Sequence, residues 1–319
     1  MTSIMTNTAA IAALSTLRGI NNDMETTQNR VATGYRVASA ADNSAYWSIA
    51  TTMRSDRKAL ETVTDALGLG GAMVDVTYTA MESAIDIVDQ IKSKMLAALQ
   101  PGVDKNKIQL DINEMQEQII SIAKSASFAG ENWLYHEFGQ SSPGMKSIVG
   151  SFNRDASGNV SVTTLDIDTE YTSLIKLGFG GPVATSGNGY LSVIKVGVSY
   201  TNSAGATVTG NTTAGVIDFD LTTMTRDELL LQVQATDDAL FELTDASSNL
   251  GAIKSRIEMQ TKFVEDLVDS ISTGIGRLVD ADMNDESSRL KALQTQQQLG
   301  IQSLSIANSS SQAIIQLFN

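Results

Sequence analysis

Few side chains in this sequence have the types and spacings that catalysis requires. There is no cysteine and one histidine, His136, which excludes disulfides, thiolate nucleophiles and sulfur-ligated metal sites. No G-x-S-x-G motif supplies a serine nucleophile that His136 could activate. We therefore interpret His136 as a residue of a surface loop, and we predict no catalytic residue, no cofactor and no enzymatic activity.

One acidic motif has the spacing of metal ligands, because residues 280–284 read DADMN, like the start of a calcium-binding loop. Such a loop needs glycine at its sixth position and glutamate at its twelfth. This sequence has Asp285 and Lys291 at those positions. Carboxylates are also favoured at the N-terminus of a helix by the helix dipole. We therefore predict that the motif begins a helix and that the protein has no metal site.

Two further motifs indicate ordinary structure. Residues 178–181 (GFGG) lack the Lys-Ser/Thr of a phosphate-binding loop and precede Pro182, so they predict a turn. Glu82, Asp86 and Asp89 fall on one face of a predicted helix. A run of this kind is usually a solvated face.

Composition favours long helices and argues against two classes of partner. The 319 residues are 42% hydrophobic, 18% charged and 5% aromatic, with a net charge of −14. This acidity argues against nucleic acid and against anionic membrane surfaces as partners. No window approaches the roughly 18 apolar residues of a membrane span. Since no basic residue precedes Arg18, we expect no cleaved secretory signal and either a cytoplasmic location or export by a dedicated machine.

Both ends of the chain read as helices with one narrow apolar stripe and few flanking charges. Such helices are poorly soluble alone, so we predict that residues 276–319 and 1–31 pair along a common seam and drive polymerisation. The residues predicted to form this interface are Ile4, Ile11, Leu14, Leu17, Met24, Val31, Leu290, Leu293, Ile301, Leu304, Ile314, Ile315 and Phe318.

Between these ends, seven-residue apolar rows predict coiled-coil-like helices. A small, polar stretch at 32–44 should separate the first two helices, and Pro101 with Gly102 should form the next turn. The following helix should therefore run antiparallel to its predecessor. Glycines at 68, 70 and 71 either weaken the long helix or permit close helix contact. The rows are Leu60, Leu67, Val74, Met81, Val88 and Met95, then Leu229, Leu243, Leu250, Ile257, Val264, Ile271 and Leu278.

Residues 139–215 are rich in glycine, and short alternating segments there and just beyond predict β-hairpins. A capping box at Thr225 and Glu228 marks the return to helix, and Gly274 with Gly276 should loosen that helix near its end. The predicted strands contain Val160/Val162, Leu191/Val193, Val196/Val198/Tyr200 and Ile217/Phe219/Leu221.

The fold predicted from these patterns is mainly α, a long coiled-coil-like helical rod formed by both chain ends with a small β-rich insert in the middle. We expect a terminal helical polymerisation domain (1–45 with 277–319) and a helical rod domain (46–138 with 225–276). The third expected domain is a variable β-rich surface domain (139–224).

Three separated motifs resemble bacterial flagellins, the subunits of flagellar filaments. They are VATGYRVASAADN at 31–43, FAGENWL at 128–134 and RLVDADMNDE at 277–286. The stretch AYWSIATTMRSD at 45–56 looks most like the rhizobial branch of alphaproteobacterial flagellins. The likeness covers about residues 1–135 and 225–319.

This resemblance implies a structural subunit that polymerises into the flagellar filament used for swimming. It implies export of the unfolded chain by the flagellar export apparatus with an export chaperone, then assembly at the distal tip beside cap and hook-junction proteins. The expected location is the extracellular filament, with the subunit itself, and possibly related flagellins, as partners. The alternatives are a hook–filament junction protein and a soluble coiled-coil adaptor module.

Overall fold

The computed structural model describes residues 7–136, 144–155, 157–176, 190–192, 198–201, 207–212 and 214–317. The helices in these ranges are α1 (Thr8–Thr33), α2 (Ser44–Ala98), α3 (Lys105–Ser125), α4 (Arg226–Val279) and α5 (Met283–Leu317). The strands are β1 (Ser127–Phe128), β2 (Glu131–Asn132), β3 (Tyr135–His136), β4 (Met145–Arg154), β5 (Val160–Asp168), β6 (Ile175–Lys176), β7 (Val198–Thr201) and β8 (Thr207–Gly210). The mainly helical fold with a small strand-containing insert is therefore confirmed.

The chain divides into two compact units. The first, called here the terminal unit, comprises residues 1–59 and 267–319, and the second, the central unit, comprises residues 60–266. Helices α2 and α4 contribute residues to both. The three predicted domains stay a prediction, and each unit is described on its own below.

In the terminal unit, α1 ends where the sequence predicts a break. Asn7 caps its start, accepting a hydrogen bond from the Ala10 amide at 3.1 Å. Gly34 ends it in the left-handed conformation (φ 73°), with its amide bonded to the Arg30 carbonyl at 2.8 Å. Glycine adopts this conformation without the steric penalty of a side chain. Helix α2 then begins at Ser44.

In the central unit, α2 and α4 run antiparallel. The Lys254 ammonium contacts the Asp75 carboxylate at 2.7 Å, and the Thr236 hydroxyl oxygen lies 3.7 Å from the Met95 sulfur. The later residue of α2, Met95, meets the earlier residue of α4, Thr236, so the two helices run in opposite directions. The predicted capping box is present too, since the Thr225 amide donates to Glu228 at 2.8 Å.

The predicted apolar rows form the core of this unit. All six residues of the α2 row are buried, and so are the members of the α4 row from Leu229 to Val264. Thr236, the polar member of that row, is also buried, and its hydroxyl donates to the Gln232 carbonyl at 2.8 Å. This bond satisfies the hydroxyl within its own helix.

Helix α3 is antiparallel to α2, as the Pro101–Gly102 turn predicts. The Lys94 ammonium contacts the Asp111 carboxylate at 2.6 Å near the turn. Farther along, residues of both helices line a common groove. The FAGENWL motif follows the end of α3. The side-chain amide of Asn132 donates to the Ala123 carbonyl in the last turn of the helix at 2.7 Å.

The paired strands pack against the long helices. Antiparallel β4 and β5 hold Ile148 over α2 at Gly70, where an added Cβ would lie 2.6 Å from the Ile148 side chain. Antiparallel β7 and β8 place Val198 against Leu231 of α4. Gly70 therefore permits a close contact, as does Gly71, whose Cβ would lie 3.4 Å from Ile257. Gly68 has open space around it.

One predicted strand is wrong. Ile217, Phe219 and Leu221 are buried but lie in turns and irregular backbone. Gln109 of α3 bonds two of them, accepting from the Leu221 amide at 2.7 Å and donating to the Phe219 carbonyl at 3.2 Å. The Ile217 amide donates to the Leu191 carbonyl at 3.4 Å. Buried backbone groups need partners, and here a side chain takes the place of a neighbouring strand. The alternation therefore reflects burial alone.

The other predicted strands have mixed outcomes. Val160 and Val162 lie in β5, and Val198 and Tyr200 lie in β7. Leu191 lies in a turn instead. Val193, Val196 and the predicted turn at 178–181 lie outside the described residues. Gly274 and Gly276 do not interrupt α4, which continues to Val279.

Candidate assembly interface

Helices α1 and α5 meet along a seam in which positions alternate by three and four residues. Between Asp282 and Ser309, the buried or half-buried residues are Glu286, Leu290, Leu293, Gln297, Gly300, Leu304 and Ala307. On α1, the corresponding positions are Ala10, Ala13, Leu17, Ile20, Met24, Thr27, Arg30 and Val31. This alternation is the spacing of a coiled-coil seam.

A glycine and two amide side chains set the register of the seam. Leu17 packs onto Gly300, where an added Cβ would lie 3.2 Å from the leucine Cδ1. The Gln297 amide donates to Asn21 Oδ1 at 2.8 Å. Near the far end, the Asn7 amide donates to the Ala307 carbonyl at 2.9 Å. These contacts show that the two chain ends pair antiparallel.

An ion pair joins the other end of the seam. Arg30 Nη1 donates to Glu286 Oε1 at 3.0 Å, and the Glu286 side chain is only 10% exposed. Partial burial reduces screening by water, which strengthens this attraction relative to an exposed pair. Glu286 Oε2 has no hydrogen-bond partner among the described residues, so the carboxylate depends on Arg30.

The segment between α1 and α2 is hydrogen-bonded to the end of α4 within the terminal unit. The amides of Arg36 and Val37 donate to the Val279 carbonyl at 2.7 and 3.2 Å. Val37, Ala50, Ile275 and Val279 form a small buried cluster that partly buried Trp47 and Met53 border. The ends of α2 and α4 in this unit therefore share one core.

Asp42 fixes the conformation of this same segment. Its carboxylate accepts hydrogen bonds from the Ser39 amide at 2.9 Å and from the Ala38 amide at 3.1 Å. The Ser39 amide, followed by the Ser39 hydroxyl, lowers the pKa of Asp42 below its ordinary value of 3.8. These bonds favour the charged form of the carboxylate.

The acidic motif at 280–284 begins α5, as predicted. Asp282 Oδ1 accepts hydrogen bonds from the Asn284 amide at 2.8 Å and the Asp285 amide at 3.3 Å. This is the arrangement of a helix N-cap. Among the described residues, no three His, Cys, Asp or Glu side chains group as a metal ion would require.

The remaining candidates have these positions. His136 is half-buried in β3, beside β6, rather than in a surface loop. Glu82, Asp86 and Asp89 are exposed, as predicted. No helix within the described ranges is long and apolar enough to cross a membrane.

The structure places only part of the predicted interface in the seam. Leu17, Met24, Val31, Leu290, Leu293 and Leu304 lie in it. Ile11 is 60% exposed and Ile301 is 54% exposed, and Leu14 is exposed as well, so these three face away from it. Ile4 and Phe318 lie outside the described residues, and so do the side chains of Ile314 and Ile315, whose backbone belongs to α5.

Sequence reasoning missed several seam residues. Ala13, Ile20 and Thr27 form a second row of sevens on α1, and Gly300 occupies the place predicted for Ile301. The signal was present as a three-and-four alternation from Ala10 to Val31. It was hidden because three of the missed residues are small or polar, whereas Ile11, Leu14 and Ile301 are large and apolar.

Other large apolar side chains of this helix pair are exposed outside the seam. They are Ile11 and Leu14 of α1 and Leu299, Ile301 and Ile306 of α5. We call this set the outer face, although on α5 Ile301 lies on the opposite flank of the helix from Leu299 and Ile306. Because none of these residues lies in the seam, the pairing of α1 with α5 leaves them uncovered.

Comparisons with known proteins match both ends of the chain. Residues 4–138 match the bacterial flagellin N-terminal helical region, and residues 233–318 match the bacterial flagellin C-terminal helical region. Flagellin C of Rhizobium meliloti (strain 1021) is 54% identical, over 100% of this chain and 99% of that protein. Flagellin A of Rhizobium meliloti is 44% identical over the whole of both chains. A flagellin of Brucella melitensis biotype 1 is 39% identical, over 100% of this chain and 99% of that protein.

Proposed function

The chain belongs to the bacterial flagellin family, and we propose that its outer face is where copies meet when they polymerise. As a flagellin, it is a structural subunit of the flagellar filament. The resemblance to the rhizobial branch is confirmed by the Rhizobium meliloti relatives. The junction-protein and adaptor alternatives are not favoured.

The observation that carries the proposal is the outer face itself. Five large aliphatic side chains, Ile11, Leu14, Leu299, Ile301 and Ile306, are exposed on two helices that already use their other sides to pair. Large apolar side chains exposed together on one helix pair favour an interaction surface. Burying each one against another copy contributes less than the about 1.5–3 kcal/mol of a fully exposed side chain, because each is already partly buried. Together they would offset part of the entropy that association costs.

The predicted interface residues that lie in the seam have a second role in this proposal. Leu17, Met24, Val31, Leu290, Leu293 and Leu304 hold α1 and α5 together, so that one helix pair carries all the residues of the outer face. We propose that Ile4, Ile314, Ile315 and Phe318 extend the same interface toward the chain ends. Repeated contact of one copy with the next, without closure, gives a filament of indefinite length.

We further propose the route by which the subunit reaches the filament. The flagellar export apparatus and an export chaperone would deliver the unfolded chain, and the filament cap would retain it at the distal tip of the extracellular filament. A helix pair with a half-buried seam suits this route, because little packing is lost when α1 and α5 separate. Folding on assembly then supplies the missing burial.

Electron microscopy of purified protein, seeded with fragments of its own filaments, tests the proposal. The variant Ile301→Ser/Ile306→Ser should form no filaments, while its circular dichroism remains that of the unsubstituted chain. The matched control is Gln298→Ser, which changes an exposed polar residue of the same helix and should leave assembly intact. Deletion of residues 304–319 should abolish assembly as well.

Normal filaments from the double variant would refute the role of the outer face. The unsubstituted chain separates the functions: long seeded filaments identify a filament subunit, and short caps on the seeds identify a junction protein. A discrete oligomer in light scattering would identify an adaptor.

A further inference from the structure

One core position of α4 is occupied by a glutamine whose side chain makes no hydrogen bond. Gln232 is 1% exposed, and neither its amide nitrogen nor its amide oxygen has a partner among the described residues. It lies three residues after Leu229 and four before Thr236, which are both buried. This three-and-four spacing puts Gln232 on the side of α4 that forms the core of the central unit.

Two other buried glutamines of the central unit use their amides to hold neighbouring backbone. Gln109 of α3 bonds to the segment 216–221 through both ends of its amide. Gln116 of the same helix donates to the Val216 carbonyl at 3.1 Å. These two side chains attach the segment to α3, whereas Gln232 attaches nothing.

An unpaired buried amide lowers the stability of the fold. Its hydrogen bonds to water are lost on folding and are not replaced, which lowers the ratio of folded to unfolded molecules about fivefold to thirtyfold. Thr236 does not relieve this cost, because its hydroxyl donates to the backbone carbonyl of Gln232. An amide that makes no bond also selects no register and no partner. Its effect on stability is therefore the one that remains to be explained.

The central unit is the part of the chain whose stability opposes the proposed export. Its apolar rows are deeply buried, whereas the seam of the terminal unit is partly exposed. A chain that is exported unfolded must lose the packing of the central unit, or not yet have formed it, at every passage. A side chain that lowers the stability of this unit gives no advantage to a protein that folds once and stays folded.

We propose that Gln232 limits the stability of the central unit so that the chain can be unfolded, or kept unfolded, for export. The inference rests on the proposed export route and assigns a residue to it. Gln232 acts before assembly, because a side chain that is 1% exposed cannot reach another copy. Its replacement should therefore reduce delivery of the subunit and leave polymerisation unchanged.

Gln232→Met tests the effect on stability, because methionine has nearly the length and volume of glutamine without its polar group. In a Trp47→Phe background, it should raise the ratio of folded to unfolded central unit about fivefold or more in urea, read from Trp133. The matched control is Gln116→Met, which leaves the Val216 carbonyl without its partner and should lower that ratio. If Gln232→Met does not raise the ratio, the amide is satisfied in the core and the inference is overturned.

Secretion tests the role in export. The chain is produced in a flagellated bacterium whose own flagellins are deleted, and the subunit in sheared filaments and medium is compared with the subunit retained in the cells. Gln232→Met should lower the secreted fraction about twofold or more, because export acts on the unfolded population. Adding Gly70→Ala, whose Cβ would lie 2.6 Å from Ile148, lowers the stability again and should restore secretion.

Seeded growth of the purified variant separates export from assembly. The critical concentration of Gln232→Met should stay within about twofold of that of the unsubstituted chain, because its surface is unchanged. A larger change, unaltered secretion of the stabilised variant, or no rescue by Gly70→Ala would overturn the inference and leave the filament function standing. If the unsubstituted chain is not secreted, the proposed route fails instead, and if it does not extend the seeds, the filament function fails.

Discussion

The two helix pairs of this protein use the same seam spacing and bury it to different extents. In the central unit, Leu67, Val74 and Met81 are completely buried against α4 and its neighbours. In the terminal unit, Leu17 and Leu304 occupy equivalent seam positions and remain partly exposed. Seam spacing alone therefore does not decide how much burial a pair of helices achieves.

The difference lies in what surrounds each pair. In the central unit, α3 and the β4–β5 hairpin pack onto α2, and the β7–β8 hairpin packs onto α4. In the terminal unit, α1 and α5 have mainly one another. Two helices leave most of their surface in water, and helices gain most of their stability from tertiary packing. The terminal pair is thus incomplete in a single chain and suited to completion by other copies.

The two tryptophans let each unit be followed separately. Trp47 borders the small core of the terminal unit, whereas Trp133 is buried in the central unit. Variants with Trp47→Phe or Trp133→Phe each retain one fluorescent reporter. Urea unfolding of these backgrounds reports the free energy of unfolding unit by unit.

The largest expected effect compares matched leucines of the two seams. Leu250→Ala removes a completely buried side chain of the central unit and should lower its free energy of unfolding by about 2–5 kcal/mol, read from Trp133. Leu304→Ala in the terminal unit should cost about 1 kcal/mol or less in the monomer, read from Trp47, because that side chain is already partly in water.

In filament assembly, the order of the two effects should be reversed. Leu304→Ala should raise the critical concentration for filament growth more than Leu250→Ala does, once both are measured where the monomer stays folded. If Leu250→Ala and Leu304→Ala lowered the free energy of unfolding of their units equally, the contrast between a fully buried and a partly exposed seam would be contradicted.

A smaller effect compares one glycine of the central unit with one of the terminal seam. Gly70→Ala forces a Cβ to within 2.6 Å of branched Ile148 and should destabilise the central unit by about 1–3 kcal/mol. Gly300→Ala brings a Cβ to 3.2 Å from the terminal Cδ1 of Leu17, a contact that a small shift relieves. Its effect should be near zero, because the gain in helix propensity of about 1 kcal/mol offsets the crowding.

Gly68→Ala is the control for both substitutions. Nothing lies within 4 Å of its added Cβ, so the propensity gain should appear in full as stabilisation of about 1 kcal/mol. A Gly70 variant as stable as the Gly68 variant would show that the β4–β5 hairpin is loosely attached to α2.

The smallest effect is a pH dependence in each unit. Hydrogen bonds from Ser39 lower the pKa of Asp42 in the terminal unit, and hydrogen bonds from Thr225 lower the pKa of Glu228 in the central unit. A lowered folded-state pKa adds stability that is complete above the unfolded-state pKa and is lost as the pH falls through the folded value. Both carboxylates are exposed, so salt should reduce the effect.

Asp42→Asn should therefore flatten the acid dependence of the Trp47 transition as the pH falls below the ordinary carboxyl pKa of 3.8, and leave that of Trp133 unchanged. Glu228→Gln should flatten the acid dependence of the Trp133 transition and leave that of Trp47 unchanged. A change in both transitions after either substitution would show that the two units unfold together.

Sequence patterns predicted the central unit better than the terminal one. The row from Leu60 to Met95 is unambiguous because each member is large and apolar, and one side of α2 is buried almost throughout. On α1, two apolar lines compete, one through Leu17 and Met24 and one through Ile11 and Leu14. Both lines consist of large apolar side chains, so hydrophobicity alone does not distinguish them. The choice between them depends on which line fits Gly300 and Leu293 on the partner helix.

The alternation at 217–221 failed for a related reason. Period-two burial is shared by strands and by any extended segment with one side against a core. What distinguishes them is the source of backbone hydrogen bonds, and here the Leu221 amide bonds to Gln109, more than a hundred residues earlier in the chain. Local pattern carries no information about a partner so distant in sequence.

The sequence by itself determined the helices, the cap at Thr225, the acidic start of α5, the turn at Gly102 and the family. These depend on local backbone preference, on side chains within a few residues and on motifs that can be read in order. Only the tertiary structure decided which apolar line of each terminal helix is buried, because two lines of equal hydrophobicity are distinguished by the shape of the opposing helix. It also decided that Gly70 serves contact, since the Ile148 side chain that fills its place comes from a strand almost eighty residues away.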